Sequence, residues 1–194
     1  MSVAPSTLAR VQAVAIGGSA GGVEAMLTLL PAIPAALRVP VFVVLHLPRD
    51  RQSLLPEIFS GHCARPVKEA DDKESVTPGT IYVGPPDYHL QVDEGPRLSL
   101  CYDEPINWSR PSIDALFVSA ADVYRERLMA ILLSGGNQDG AEGLVAVRER
   151  GGMTVVQDPA SAACPTMPNE ALRRGEPDAV WNLEQMKTLL QALQ

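Results

Sequence analysis

The chain has 194 residues, which suits one well-buried α/β domain over 1–194 and leaves little room for a second. Its composition, 46% hydrophobic and 20% charged, is that of an ordinary globular protein, and a formal net charge of −7 argues against a nucleic-acid or anionic-membrane surface. Cys63, Cys101 and Cys164 are odd in number and in no metal-ligand spacing, and neither a signal core nor a membrane-length apolar run is present, so a cytoplasmic chain with reduced thiols is expected.

Residues 1–10 read as a loose lead-in. Val11–Ile16 is nearly all apolar without alternation, the pattern of a strand buried on both faces. After Gly17-Gly18-Ser19-Ala20-Gly21-Gly22, apolar residues recur at Val23, Met26, Leu27 and Leu30, and Pro31 and Pro34 close that helix. Val39–Leu45 is the most strand-like run, so the first two strands form a right-handed βαβ unit. Leu54–Phe59 suggests a short helix. From Val67 to Cys101 turn signals alternate with the short runs Thr80–Val83, His89–Val92 and Leu98–Cys101, which predicts small strands and hairpins inserted in the framework. Pro111 stands at the expected first position of a helix through Ile113, Leu116, Phe117 and Ala120. Leu128–Leu133 is another buried strand, followed by Ser134–Gly140 and a helix that Gly151-Gly152 cap. Thr154–Gln157 is a further strand, Pro168–Arg174 a short helix, and Asn182 with Gln185 a capping box for the last helix. The fold class is therefore α/β: a Rossmann-like, doubly wound, mostly parallel sheet in three layers, with a small antiparallel hairpin insertion.

Gly17–Gly21 fits G-x-S-x-G, which holds a serine on a sharp strand-to-helix turn. A dinucleotide-type phosphate loop would want glycine at position 19, so a nucleotide-binding module is the weaker reading. In open α/β sheets the ligand site lies off the carboxyl ends of the strands, and Ser19, His46 and the loop bearing Asp139 each follow a strand. A serine hydroxyl attacks a carbonyl only when an imidazole takes its proton, and the imidazole needs an anion to fix its tautomer. Each residue also has a plainer reading. Ser19 and Asp139 are good helix caps, and a lone histidine at a strand end is commonly structural. Asp114, in a first helical turn, reads as serving the helix dipole. His62 lies in a polar loop. His89 lies in the inserted region, as a structural residue or a wall on the substrate side.

The segments Ile16–Gly22, His46-Leu47-Pro48, Val76–Pro85 with His89, Arg110–Asp114, Ser134-Gly135 with Asp139-Gly140, and Met167-Pro168 with Ala171 together resemble the catalytic domain of the CheB chemoreceptor methylesterase family. The resemblance runs from about Ala13 to near the C-terminus. It implies Ser19 as nucleophile, His46 as general base and acid, and Asp139 as orienting carboxylate. It also implies backbone donors at Ala20 and Gly136 for the oxyanion, a substrate rim including His89, Arg110 and Met167, and neither metal nor organic cofactor. The implied substrate is a glutamyl γ-methyl ester on the cytoplasmic helices of a chemoreceptor, with glutamine deamidation by the same attack. The implied partner is therefore a methyl-accepting or similar chemosensory receptor, reached without membrane insertion. The chain departs from the family pattern in having no room for a receiver domain, in Ala20 where threonine is usual, in the Gly136-Asn137-Gln138 loop, and in Pro165-Thr166. A non-catalytic receptor-docking domain is the alternative.

Overall fold

The computed structural model describes residues 8–47 and 52–193; the expected lead-in up to residue 7 and Pro48 lie outside them. Among the described residues, nine strands and six α-helices follow in order. They are β1 (Ala13–Gly18), α1 (Gly22–Leu29), β2 (Val41–Leu45), α2 (Leu55–Ser60), β3 (Val67–Glu69), β4 (Ile81–Val83), β5 (His89–Asp93), β6 (Arg97–Cys101) and α3 (Ile113–Tyr124). The rest are β7 (Leu128–Leu132), α4 (Ala141–Glu149), β8 (Met153–Gln157), α5 (Thr166–Arg174), β9 (Ala179–Trp181) and α6 (Leu183–Gln191).

Seven strands form one parallel sheet in the order β3-β4-β2-β1-β7-β8-β9, and β5 and β6 form a separate antiparallel pair. The expected doubly wound sheet and hairpin are thus present. Thr80–Val83 was expected within the insertion, but Ile81–Val83 instead pairs in parallel with β2 and belongs to the main sheet. The strand order reverses between β1 and β7, the point where α/β sheets open a crevice at their carboxyl ends.

The sheet separates two apolar layers. Val14, Ile16, Val43 and Ile131 face α1, α2 and α6, whose Met26, Leu29, Phe59, Met186 and Leu190 close that side. The alternate residues Ala13, Ala15, Ala130 and Leu132 face α3, α4, α5 and the hairpin. Small residues on this face of β1 let α3 come close. A Cβ on Gly17 would lie 2.2 Å from the Cγ2 of Ile113, so the end of β1 must be glycine for the start of α3 to sit there.

Local signals resolve as capping chemistry predicts, with one exception. Asn182 and Gln185 form the expected reciprocal capping box on α6, and Gly151 takes a left-handed conformation after α4. Pro111 does not open α3. It is joined to Arg110 by a cis bond, and Ser112 caps the helix by accepting from the Ala115 N–H at 3.3 Å.

Candidate active site

Backbone ladders carry the predicted residues past the strand ends. The Ser19 N–H donates to the Ser134 carbonyl at 2.9 Å, extending the β1–β7 pairing, and the His46 N–H donates to the Gly18 carbonyl at 3.3 Å, extending β1–β2. Ser19 does not cap α1; that position is Gly21, left-handed at φ 80°. Likewise Gly140, at φ 91°, is the N-cap of α4, and Asp139 is free for another task.

Asp139 is completely buried and meets donors on both oxygens. Oδ2 accepts from His46 Nε2 at 2.8 Å and the Ile113 N–H at 2.6 Å. Oδ1 accepts from the Ser112 hydroxyl at 2.8 Å, the Asp114 N–H at 3.2 Å and Asn107 Nδ2 at 3.3 Å. The carboxylate therefore sits on the positive end of α3, as an anion does at a helix N-terminus. Burial pushes the Asp139 carboxyl up, but the hydrogen bonds from His46, Ile113 and Ser112 outweigh it and hold the group below the usual carboxylate range. It is an anion at neutral pH.

With Nε2 donating to Asp139, Nδ1 is the basic nitrogen of His46. The Ser109 hydroxyl lies 3.3 Å from it, and the same oxygen accepts from Asn137 Nδ2 at 3.2 Å. Among the described residues Ser19 Oγ makes no hydrogen bond to His46; it is half-exposed at the turn. Ser134 Oγ donates to the Ala20 carbonyl at 2.6 Å and accepts from the Cys164 N–H at 2.8 Å, which braces the turn after Ser19. The Gly135 N–H is taken by the Cys164 carbonyl at 3.1 Å, whereas the N–H groups of Ala20 and Gly136 donate to no described backbone carbonyl.

Of the three expected rim residues, His89 and Met167 are buried, whereas Arg110 is partly exposed. His89 is 2% exposed. Its Nδ1 accepts from the Ser112 N–H at 3.1 Å and its Nε2 lies 3.1 Å from the Glu104 carbonyl, so it is a wedge under the cap of α3. Arg110 is held by Asp87 at 2.7 and 3.0 Å, by two carbonyls, and by the Tyr102 ring 3.7 Å beneath it. Met167 is fully buried, and a Cβ on Gly135 would lie 2.4 Å from its Cε. His89 and Met167 are supports that sequence pattern alone cannot distinguish from a rim.

Asp114 is the reverse case, a site neighbour that the sequence reading assigned to the helix dipole. It is 7% exposed, accepts from the Gly143 N–H at 2.7 Å, and shares Asn107 Nδ2 (2.9 Å) with Asp139. Burial, with the Asp139 charge beside it, raises its carboxyl to about 6. An unfolded aspartate titrates near 3.9. The folded chain therefore holds the extra proton between about pH 4 and pH 6, and this group's contribution to stability falls as pH rises through that window. Asp114→Asn should flatten the fall, by up to about 2 kcal/mol in the unfolding free energy from urea titrations at pH 4.5 and 7. Glu69 is also raised, by burial, but is common to both proteins and cancels in the difference. Identical pH slopes would contradict the assignment.

Among the described residues no three or more His, Cys, Asp and Glu side chains gather as they would to hold a metal. Likewise no helix is long and apolar enough to cross a membrane. The candidate site sets a serine-bearing turn, an imidazole and a buried anion at a sheet switch point. Residues 14–190 match the CheB methylesterase family. The chain belongs to that family. A relative from Leptospira interrogans, named a putative protein-glutamate methylesterase/protein-glutamine glutaminase, is 40% identical over 178 residues, covering 92% of each chain. One from Pyrococcus horikoshii, with the same activities in its name, is 32% identical over 196 residues, which are 99% of this chain and 53% of that one. The crystal structure of the Thermotoga maritima CheB methylesterase catalytic domain superposes with a TM-score of 0.89 at 29% identity, over 95% of this chain and 99% of the other. The sequence resemblance and the doubly wound fold therefore hold for this chain over almost its whole length.

Proposed function

We propose that this chain is a cytoplasmic serine esterase that hydrolyses glutamyl γ-methyl esters on chemoreceptor helices, with residues 1–194 acting as one catalytic domain. Ser19 Oγ attacks the ester carbonyl as its proton passes to His46 Nδ1, and the imidazolium is stabilised through Nε2 by Asp139. The N–H groups of Ala20 and Gly136 receive the oxyanion, each such donor being worth about 10²–10³ in rate. Collapse expels methanol with the proton from His46. Water, deprotonated by the same imidazole, then releases the glutamate and restores Ser19. Attack on a glutamine amide follows the same course and releases ammonia. Neither reaction calls for a metal or organic cofactor.

The observation that carries this reading is the 2.8 Å contact between His46 Nε2 and an Asp139 carboxylate that this bond and the start of α3 together keep ionised. A serine-directed phosphonate tests it. The expected result is one adduct, mapped by peptide mass spectrometry to Ser19 and absent in His46→Ala; an adduct elsewhere, or none, would sink it. One observation favours the second reading, a receptor-docking domain without turnover: Nδ1 of His46 lies against Ser109 rather than Ser19. Catalytic hydrogen bonds often tighten only when substrate is bound, and for that reason the esterase reading is preferred.

A further inference from the structure

Trp108 is 94% exposed, more than any other large apolar side chain among the described residues. It stands at the tip of a four-residue turn closed by two reciprocal backbone hydrogen bonds, Ile106 N–H to Ser109 O at 3.1 Å and Ser109 N–H to Ile106 O at 2.9 Å. Both central residues are left-handed, Asn107 at φ 49° and Trp108 at φ 66°. For a bulky side chain that region costs about 1–2 kcal/mol, so the surroundings must impose the turn.

Those surroundings are the catalytic loops. Asn107 Nδ2 reaches Asp114 and Asp139. Asn137 Nδ2 donates to the Asn107 carbonyl at 3.1 Å, and Gln138 Nε2 donates to Asn107 Oδ1 at 3.0 Å. Ser109, the residue after Trp108, touches His46 Nδ1. The backbone that carries the indole is therefore fixed relative to His46 by a continuous set of hydrogen bonds. Beside it opens a cleft of about 350 Å³ lined by Asn107, Trp108, Asn137, Gln138, Thr166 and Glu170.

We propose that Trp108 is the specificity residue for the protein substrate, its indole packing on the helix that bears the ester. This deepens the esterase reading and rests on it. A γ-methyl ester is carried on a flexible side chain projecting from a rigid rod. For its carbonyl to meet Ser19, the rod must be stopped at a set height and angle. A flat aromatic ledge, one residue from the contact with His46, supplies that stop for a face of small and aliphatic side chains and gains apolar burial there. A small soluble ester has no rod to stop.

The test compares wild type, Trp108→Ala and Trp108→Phe on two substrates, p-nitrophenyl acetate and methyl-labelled chemoreceptor membranes, with Ser19→Ala as control. In Trp108→Ala, kcat/KM for methanol release should fall about tenfold further than kcat/KM for the small ester, mostly through KM, and Trp108→Phe should recover part of it. Equal losses on both substrates would make the turn a mere support and overturn the proposal. So would an undiminished receptor reaction, a wild type that hydrolyses the small ester but no receptor ester, or a dimer that dissociates on Trp108→Ala. A wild type with no Ser19-dependent turnover of either ester would instead remove the esterase reading itself.

Discussion

Asp139→Asn should lower kcat by about 10⁴ while the chain still folds. The five groups that hydrogen-bond to the Asp139 carboxylate in the structure are donors. Oδ2 takes His46 Nε2 and the Ile113 N–H, and Oδ1 takes Ser112, the Asp114 N–H and Asn107. An amide must turn its own N–H groups toward one of these sets whichever way it flips. If they face His46, the ring changes tautomer, Nδ1 becomes protonated, and no base is left for Ser19. If they face Ser112, His46 keeps its tautomer but loses the anion that stabilises the imidazolium. The measurement is kcat on either ester, with circular dichroism to confirm the fold. A loss under tenfold would mean that Asp139 holds α3 in place and does little for His46.

Gly140→Ala should destabilise the fold by about 3 kcal/mol and reduce activity with it. The residue sits at φ 91°, and a Cβ there would lie 2.5 Å from Leu132 Cδ1 and 2.8 Å from Ile113 Cγ2. Left-handed strain and overpacking each cost about 1–3 kcal/mol, and neither neighbour can yield cheaply inside a closed core. Relief by moving Ile113 shifts the N–H that donates to Asp139, so stability and catalysis fall together. Gly136→Ala, four residues earlier, provides the contrast. Its nearest neighbour would be Cys164 Sγ at 3.8 Å, ordinary contact, and its urea midpoint should hardly change. Equal midpoints for the two variants would contradict this account of the loop.

How far this site can be read from sequence depends on the range of each interaction. Buried strands announce themselves by unbroken apolar runs, so β1, β2, β7 and β8 were plain, and with them the edge where Ser19, His46 and Asp139 lie. The Asn182–Gln185 box is a local signal and was equally plain. β4 was misplaced because its three residues match a hairpin strand as well as a buried parallel one, and only pairing with β2 decides. The helix dipole reading of Asp114 was right about its position and silent about its partner, Gly143, which the chain brings in from 29 residues away. Ser109, Asn107 and Asn137 carry no signature at all. Their role follows from a turn meeting the Asp139 loop across the sheet edge, a tertiary contact between polar residues of ordinary loop composition. His89 and Met167 show the converse: they lie in segments that carry the family resemblance, yet the packing uses them to hold α3 and Gly135 in place.

The central claim is that Ser19, served by His46, breaks a receptor methyl ester. Methanol release from methyl-labelled chemoreceptor membranes, wild type against Ser19→Ala, tests it most directly. Release by the wild type that falls at least about 10³-fold in the variant is the expected result. Release that persists in Ser19→Ala, or a folded wild type that releases none, would contradict it.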